Sequence, residues 1–234
     1  MSLMPMSEPP RPLGATVGGS PALRPRHRAV TGRFVTLTPL SPHHAAELFA
    51  SVGGQDKAWL WDYMPDGPFE DLGAFRDMIA QKAASEDPLF FTIMDQNTGR
   101  AVGYAALMRI DPAQRTIEVG NIMLSPAIQR SAGATEALFL LARTVFDDLG
   151  YRRYEWKCNA LNAPSRRAAE RLGFSFEGVF RQHMIVKGRN RDTAWFSMLD
   201  HEWPAIKAGF EAWLLPDNFR ADGQQVQSLS ELRR

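Results

Sequence analysis

Ile117-Glu118-Val119-Gly120-Asn121-Ile122-Met123-Leu124 is the stretch on which the fold turns, and it reads as a strand. Ser125-Pro126 ends it. Gln129-Arg130-Ser131-Ala132-Gly133-Ala134-Thr135 then opens directly into a helix, and Asn162-Ala163-Pro164-Ser165 starts a second helix that stops at Gly173-Phe174. A strand, a turn of small residues and a helix N-terminus together present backbone N–H groups to an anion. Such an arrangement suits a pyrophosphate.

Outward from that stretch, the helix after Gly133 carries small or apolar residues at 134, 137, 138, 141, 142, 145, 146 and 149, the spacing of one core-facing stripe, with Gly150 as its stop. Upstream, residues 33–38 alternate as a strand, Ser41-Pro42 caps and opens a helix to about Val52, and residues 70–84 have helical spacing. Strands are expected at 89–94, 101–110 and 116–124, with turns at Asn97-Thr98-Gly99 and Asp111-Pro112. Downstream, strands are expected at 153–158, 174–180 and 194–199, the last two joined across residues 187–192, and a closing helix at 203–215. The sum is a mixed α/β domain from about residue 29 to the C-terminus. Residues 1–28, rich in Pro, Gly, Ser and Arg, read as a disordered leader, and the last stretch reads as a polar, peripheral tail.

The chain has 234 residues, 44% of them hydrophobic and 23% charged, which is enough for one domain with a true core. A net charge of +1 gives the whole molecule no field that demands nucleic acid or a membrane. Residues 152–191 are locally basic, with ten Lys or Arg against three Glu, which suits a phosphate-bearing ligand. Cys158 is the only cysteine, so no intrachain disulfide can form; it reads as a buried strand residue. No apolar run reaches a membrane span, no secretory signal pattern is visible, and the His residues form no metal pattern. These readings imply a cytoplasmic protein with no metal.

Several separated blocks resemble the GNAT N-acetyltransferase superfamily, and within it the RimJ/RimL-like ribosomal-protein N-terminal acetyltransferases. They are Gly103-Tyr104, Glu118-Val119-Gly120, residues 129–135 with Glu136-Ala137, Asn162-x-x-Ser165, Glu170-Arg171-Leu172-Gly173-Phe174 and Glu177-Gly178. Their order over roughly residues 30 to 200 makes the resemblance specific. It implies the GNAT fold, a mixed and mostly antiparallel sheet flanked by helices. It also implies acetyl-CoA as acetyl donor and an amine as acceptor, in a monomer or homodimer. Two positions depart from the family pattern. Ala132 takes the first Gly slot of the phosphate motif, so its methyl sits where the backbone approaches phosphate and disfavours positive φ. Ala169 stands where many members have a Tyr general acid.

Acetyl transfer to an amine by direct attack needs a neutral amine, a donor for the oxyanion and a proton for the departing thiolate. Glu118, a carboxylate in mid-strand, is the candidate base; the plainer reading is a strand Glu paired with an Arg such as Arg115. Along a straight strand it lies about 13 Å from Ile122. Direct contact with an amine near Ile122 would need a bulge to shorten the path, and a water relay is the better picture. The resemblance places the oxyanion donor at the Ile122 N–H, pantetheine contacts at Ile122, Met123 and Leu124, and pyrophosphate contacts from Gln129 and Arg130 through Ser131, Ala132, Gly133 and Ala134 to Thr135. Asn162 is a helix cap or a pantetheine contact. Ser165 is the candidate acid in place of the missing Tyr, or a second helix-start hydroxyl.

Trp59, Trp61 and Tyr63 form an aromatic segment that borders the acceptor in such folds, or else packs beneath a loop. The basic hairpin from Lys187 to Arg191 attracts an acidic acceptor, or is a solvated turn, the plainer reading. The acceptor is open between a protein N-terminus and a small-molecule amine. A catalytically weak CoA-binding module is the main alternative. Nucleic-acid binding through residues 152–191 is a weaker one, and steep salt dependence would mark it.

Overall fold

The computed structural model describes residues 11–220 and 222–233; the first ten residues of the expected leader lie outside them. The elements in chain order are β1 (Val30–Thr31), β2 (Val35–Pro39), α1 (Ala45–Val52), α2 (Leu72–Ala83), β3 (Leu89–Asp95), β4 (Ala101–Asp111), β5 (Thr116–Leu124), α3 (Ala132–Arg143), β6 (Arg153–Asn159), α4 (Ala163–Leu172), β7 (Ser175–Val186), β8 (Arg189–Leu199), α5 (Trp203–Trp213) and α6 (Leu229–Leu232). The strands form one 8-stranded sheet in the order β1-β2-β3-β4-β5-β6-β8-β7. Neighbours are antiparallel except β5 and β6, which run parallel. A parallel pair needs a long crossover, and α3 supplies it.

Alternation along β4 shows how the sheet divides two cores. Tyr104 and Ala106 face one core, with Leu48, Val52, Trp61, Phe75 and Ile79 from the α1–α2 side. Ala105 and Leu107 face the other, with Ala137, Leu140 and Leu141 of α3 and Phe210 of α5. Successive side chains of a strand point to opposite faces, so one strand serves both layers.

α3 is buried over more than the expected stripe: Phe139 and Leu140, outside it, are also covered. The reason is α5, which packs over that side. Phe139 stacks on Phe210 at 5.0 Å and Phe146 on Trp203 at 5.1 Å between ring centroids. α3 begins at Ala132 rather than after Gly133, and its last turn widens at residues 144–148 before Gly150 at φ +74°.

The two long strands near the C-terminus outrun their expected limits. β7 and β8 pair to the tip through Met184↔Arg191, Ile185↔Asn190 and Val186↔Arg189. Lys187 and Gly188, at φ +49° and +70°, make the turn. Both central residues at positive φ match the twist of the flanking strands. The six-residue loop expected at 187–192 is therefore a tight hairpin.

The described segments before β1 and after α5 are tied to the rest of the domain. Ala22 N–H donates to Pro112 O and Leu23 N–H to Leu149 O, each at 2.9 Å. In the tail, Asn218 accepts from Gln227 N–H at 2.8 Å and donates to Trp213 O at 3.0 Å, and Leu229 is fully buried. No helix among the described residues is long and apolar enough to cross a membrane.

Candidate active site

The site grows from an irregularity in β5. Its register with β4 runs Leu124↔Gly103 and Met123↔Tyr104, then resumes at Gly120↔Ala106. Asn121 and Ile122 thus oppose the single residue Ala105, and Asn121 takes φ +49°. This is a β-bulge, which bends the strand and sharpens its twist. On its other side β5 pairs with β6 only as far as Val119↔Trp156, although both strands continue. The two strands separate where the bulge lies, and the backbone of residues 120–124 on that edge faces an opening. Gly103 is required here: a Cβ would collide with the Met123 carbonyl.

Glu118 lies just below the opening and is 5% exposed. Its Oε2 accepts from Lys157 Nζ at 2.8 Å and pairs with Arg109 Nε at 3.0 Å. The partner is not Arg115, whose guanidinium donates to Gly18 O at 3.0 Å. Burial pushes the Glu118 carboxyl up, against the pull of Lys157 and Arg109, and the net direction is upward. Glu155 sits beside Glu118 in the parallel register. Lys157 bridges the two carboxylates, reaching Glu155 Oε2 at 2.6 Å, and lies 4.0 Å over the Trp195 ring.

A second bulge, in β4, aims Arg109. The register skips from Met108↔Glu118 to Asp111↔Thr116, with Arg109 at φ +50°. The Asp87 carboxylate accepts from Arg109 N–H at 2.9 Å and Ile110 N–H at 3.1 Å, holding the freed backbone groups of that bulge. Asp87, Arg109 and Lys157 were not singled out in the sequence. The alternating charges Arg153, Glu155 and Lys157 on one face of β6 are the signal that could have found the last.

At the start of α3, the Ser131 side chain caps the helix by accepting from Ala134 N–H at 3.1 Å. Ser131 N–H is bound to Ile128 O and Thr135 N–H to Ser131 O. Three amides of this segment have no partner among the described residues: Arg130, Ala132 and Gly133. Three free donors at the positive end of a 12-residue helix fit a phosphate. The residue at positive φ is Arg130, at +60°, so Ala132 carries no conformational penalty. Gly133 faces inward: a Cβ there would press on Val35 at 3.1 Å and Ile128 at 3.3 Å. Its missing side chain serves helix–sheet packing. The Gln129 side chain donates to Leu124 O at 3.0 Å and ties the loop to β5.

One residue on, Glu136 reaches under the sheet. Its carboxylate accepts from the N–H groups of Arg33, Phe34 and Val35 at 2.7, 2.6 and 2.9 Å. It fixes α3 to β2 and so fixes the three free amides.

Asn162 caps α4, its side chain accepting from Ser165 N–H at 3.1 Å. Ser165 Oγ accepts from Trp156 Nε1 at 3.1 Å. Cys158 is free and buried, and burial pushes its thiol up.

Beyond the opening, a cleft of about 530 Å³ lies between the α1–α2 connection and the β7–β8 hairpin. Trp59 and Tyr63 line it and are exposed, 54% and 41%. Trp61 is not part of that aromatic wall as a ring. Its indole is fully buried against Phe69 and Phe75 and donates to Val52 O at 2.9 Å. It offers the cleft only its backbone: Lys187 Nζ donates to Trp61 O at 2.8 Å and links hairpin to loop. No group of three or more His, Cys, Asp or Glu able to hold a metal occurs among the described residues.

Residues 35–175 match the family model described as acetyltransferase (GNAT) domain. The chain belongs to the GNAT acetyltransferase family. It is 50% identical to a GCN5-related N-acetyltransferase from Brucella melitensis, with a TM-score of 0.90 over 92% of this chain and 98% of that one. It is 42% identical to a GNAT-family protein from Chromobacterium violaceum, named as an acetyltransferase, with a TM-score of 0.75 over 86% of this chain and 100% of that one. Among curated proteins it is 30% identical to an N-acetyltransferase, p20, of Bacillus licheniformis, itself uncharacterised, over 60% of this chain and 80% of that protein. It is 28% identical to YdaF of Bacillus subtilis, by its name a candidate ribosomal N-acetyltransferase, over 47% of this chain and 59% of that protein. As a GNAT enzyme the chain is an acetyl-CoA-dependent acetyltransferase, and the 8-stranded mixed sheet with its flanking helices is the GNAT fold expected from the sequence.

Proposed function

We propose that the GNAT domain passes the acetyl group directly to a primary amine bound in the 530 Å³ cleft, with the bulge at Asn121-Ile122 as the reaction centre. The bulge carries this reading. A bulge bends its strand and re-aims the backbone there, and this one lies where β6 has left β5.

Bound acetyl-CoA supplies an activated acyl carbon and a thiolate leaving group. The free amides of Arg130, Ala132 and Gly133 hold its pyrophosphate. Ser131 and Gln129 shape that loop, while Ala134 and Thr135 belong to the helix turn beneath it. Ile122, Met123 and Leu124 offer the open edge of β5 to the pantetheine arm as if to another strand. The Ile122 N–H donates to the developing oxyanion. Glu118 takes the amine proton, directly or through a water, and Lys157 and Arg109 keep its carboxylate oriented. Ser165 lies in the first turn of α4 and protonates the thiolate, with the Trp156 indole holding its hydroxyl in place. Asn162 orders that same turn.

The acceptor is a protein N-terminus, in line with the likeness to YdaF and to RimJ/RimL-like enzymes, or a small amine, in line with a cleft of small-molecule size. The free, buried Cys158 agrees with a reducing compartment such as the cytoplasm. The working unit runs from about residue 29 to the C-terminus.

The test is thiol release from acetyl-CoA by the purified chain with a panel of amines and peptides, beside calorimetry with acetyl-CoA. Turnover with any amine supports the reading. Tight binding without turnover favours a CoA-binding module, and absence of binding removes both.

A further inference from the structure

Arg191 has no task in the reaction outlined above, and its surroundings are unusual. It lines the acceptor cleft from β8, is half-buried, and its side chain makes no hydrogen bond or ion pair among the described residues. Its Nε is fully enclosed and unpartnered. A cation withdrawn from water without a counter-charge is costly, and such a group is normally paired. The nearby carboxylates do not serve it. Glu118 is held by Lys157 and Arg109, and Glu155 by Arg153 and Lys157. Within the cleft, Lys187 and Arg189 add positive charge and Asp62 is the opposing acid. Lys187 is occupied by the Trp61 carbonyl.

We infer that the amine acceptor carries a carboxylate, and that the Arg191 guanidinium binds it. This rests on the amine-acetyltransferase reading given above and narrows its substrate class. Arg191 stands between the two halves of the site. It lines the cleft, yet it also lies within electrostatic range of Glu118 and Cys158 on the catalytic side. A carboxylate held there places an amine a few bonds away toward Glu118. The planar guanidinium matches a carboxylate with two parallel hydrogen bonds, which fixes direction as well as position. Trp59 and Tyr63 offer aromatic faces to the rest of the acceptor. The carboxylate has two sources, a free amino acid or the acidic side chain of a peptide N-terminal segment.

The experiment compares kcat/KM of the full chain, by thiol release from acetyl-CoA, for free amino acids against their carboxamides. A second arm compares short peptides having Asp or Glu near the amine with their Asn or Gln counterparts. The expected result is a preference of about tenfold or more for the carboxylate in one arm, because the neutral analogue leaves the half-buried guanidinium without its partner. In Arg191→Met the ratio falls toward one while calorimetric affinity for acetyl-CoA stays within about twofold, and Arg191→Lys retains part of the preference. A preference confined to amino acids assigns a small-molecule acceptor; one confined to peptides assigns a protein N-terminus. Turnover of neutral amines with no carboxylate preference overturns the inference and leaves acetyl transfer standing. A preference unchanged in a folded Arg191→Met variant also overturns it. Absence of thiol release with every amine defeats the acetyl-transfer reading itself.

Discussion

At the start of α3 the unpartnered polar groups are backbone amides, those of Arg130, Ala132 and Gly133. Across the opening, under the β7–β8 hairpin, the groups that line the cleft are side chains, above all Arg191, Trp59 and Tyr63. The first set is placed by backbone conformation: the first N–H groups of a helix have no partner within it. The second set exists only because particular residues stand at particular positions. On the proposed reading a common coenzyme is met by architecture and a particular acceptor by chemistry, so substitutions on the two sides are expected to have unequal consequences.

The largest expected effect lies where the two sides meet. Glu118→Gln keeps the shape and removes the base, and kcat is expected to fall by a factor on the order of 100 or more. Burial raises the Glu118 carboxyl, so its basic form is reached at higher pH than for an ordinary glutamate. In the wild type kcat therefore climbs with pH through a limb above the usual carboxylate range, and the climb disappears in the variant. A pH–rate profile that keeps the limb in Glu118→Gln removes the base from this residue.

Next comes a stability effect that tests whether the donor side is truly architectural. Glu136→Ala strands three backbone donors, of Arg33, Phe34 and Val35, two of them on residues of the sheet's inner strands or just before them. The expected cost is on the order of 3 kcal/mol, measured by denaturant unfolding. With α3 no longer fixed to β2, acetyl-CoA affinity should fall although residue 136 lies outside the loop of free amides. Unaltered affinity in a destabilised Glu136→Ala protein would separate the helix anchor from the loop.

How far the two sides were legible follows from the same difference. The strand at 117–124, the helix start after residue 129 and the Asn162 cap could be read because periodicity and turn chemistry are local. The bulge at Asn121-Ile122 could not, because it is a mismatch between β5 and β4 and needs the register of both. Glu118 stood out as a charge in mid-strand, but its partners Arg109 and Lys157 come from two other strands. Trp61 was grouped with Trp59 and Tyr63 by adjacency. The short helical turn at 55–61 sends its indole into the core while its neighbours stay outside. Residues 187–191 read as a solvated turn or as a basic hairpin that attracts an acidic acceptor; only the pairing with β7 shows that Arg191 stands in the cleft wall.

A smaller effect is expected at Ser165. Removing the hydroxyl proposed to protonate the leaving thiolate is expected to slow transfer about tenfold. It also leaves the Trp156 indole without its acceptor, so some stability is lost as well. The two consequences separate by leaving group. An acyl donor whose thiol is more acidic needs less protonation, so Ser165→Ala should lose less with it than with acetyl-CoA. Equal losses with both donors would make Ser165 a packing residue of α4.

The smallest effect is expected at Ala132, and it bears directly on the contrast between the sides. The sequence departs from the family's glycine there, which suggested a weakened phosphate loop. In the structure Ala132 opens α3 in ordinary helical conformation, and positive φ falls on Arg130. Its amide is free whether or not a methyl is attached. Ala132→Gly should therefore change acetyl-CoA affinity by no more than about threefold, with stability lowered by well under about 1 kcal/mol from added chain freedom. Calorimetry on the two proteins reads both quantities. A gain in affinity of tenfold or more would mean that the methyl group obstructs the phosphate, and that the donor side depends on a side chain after all.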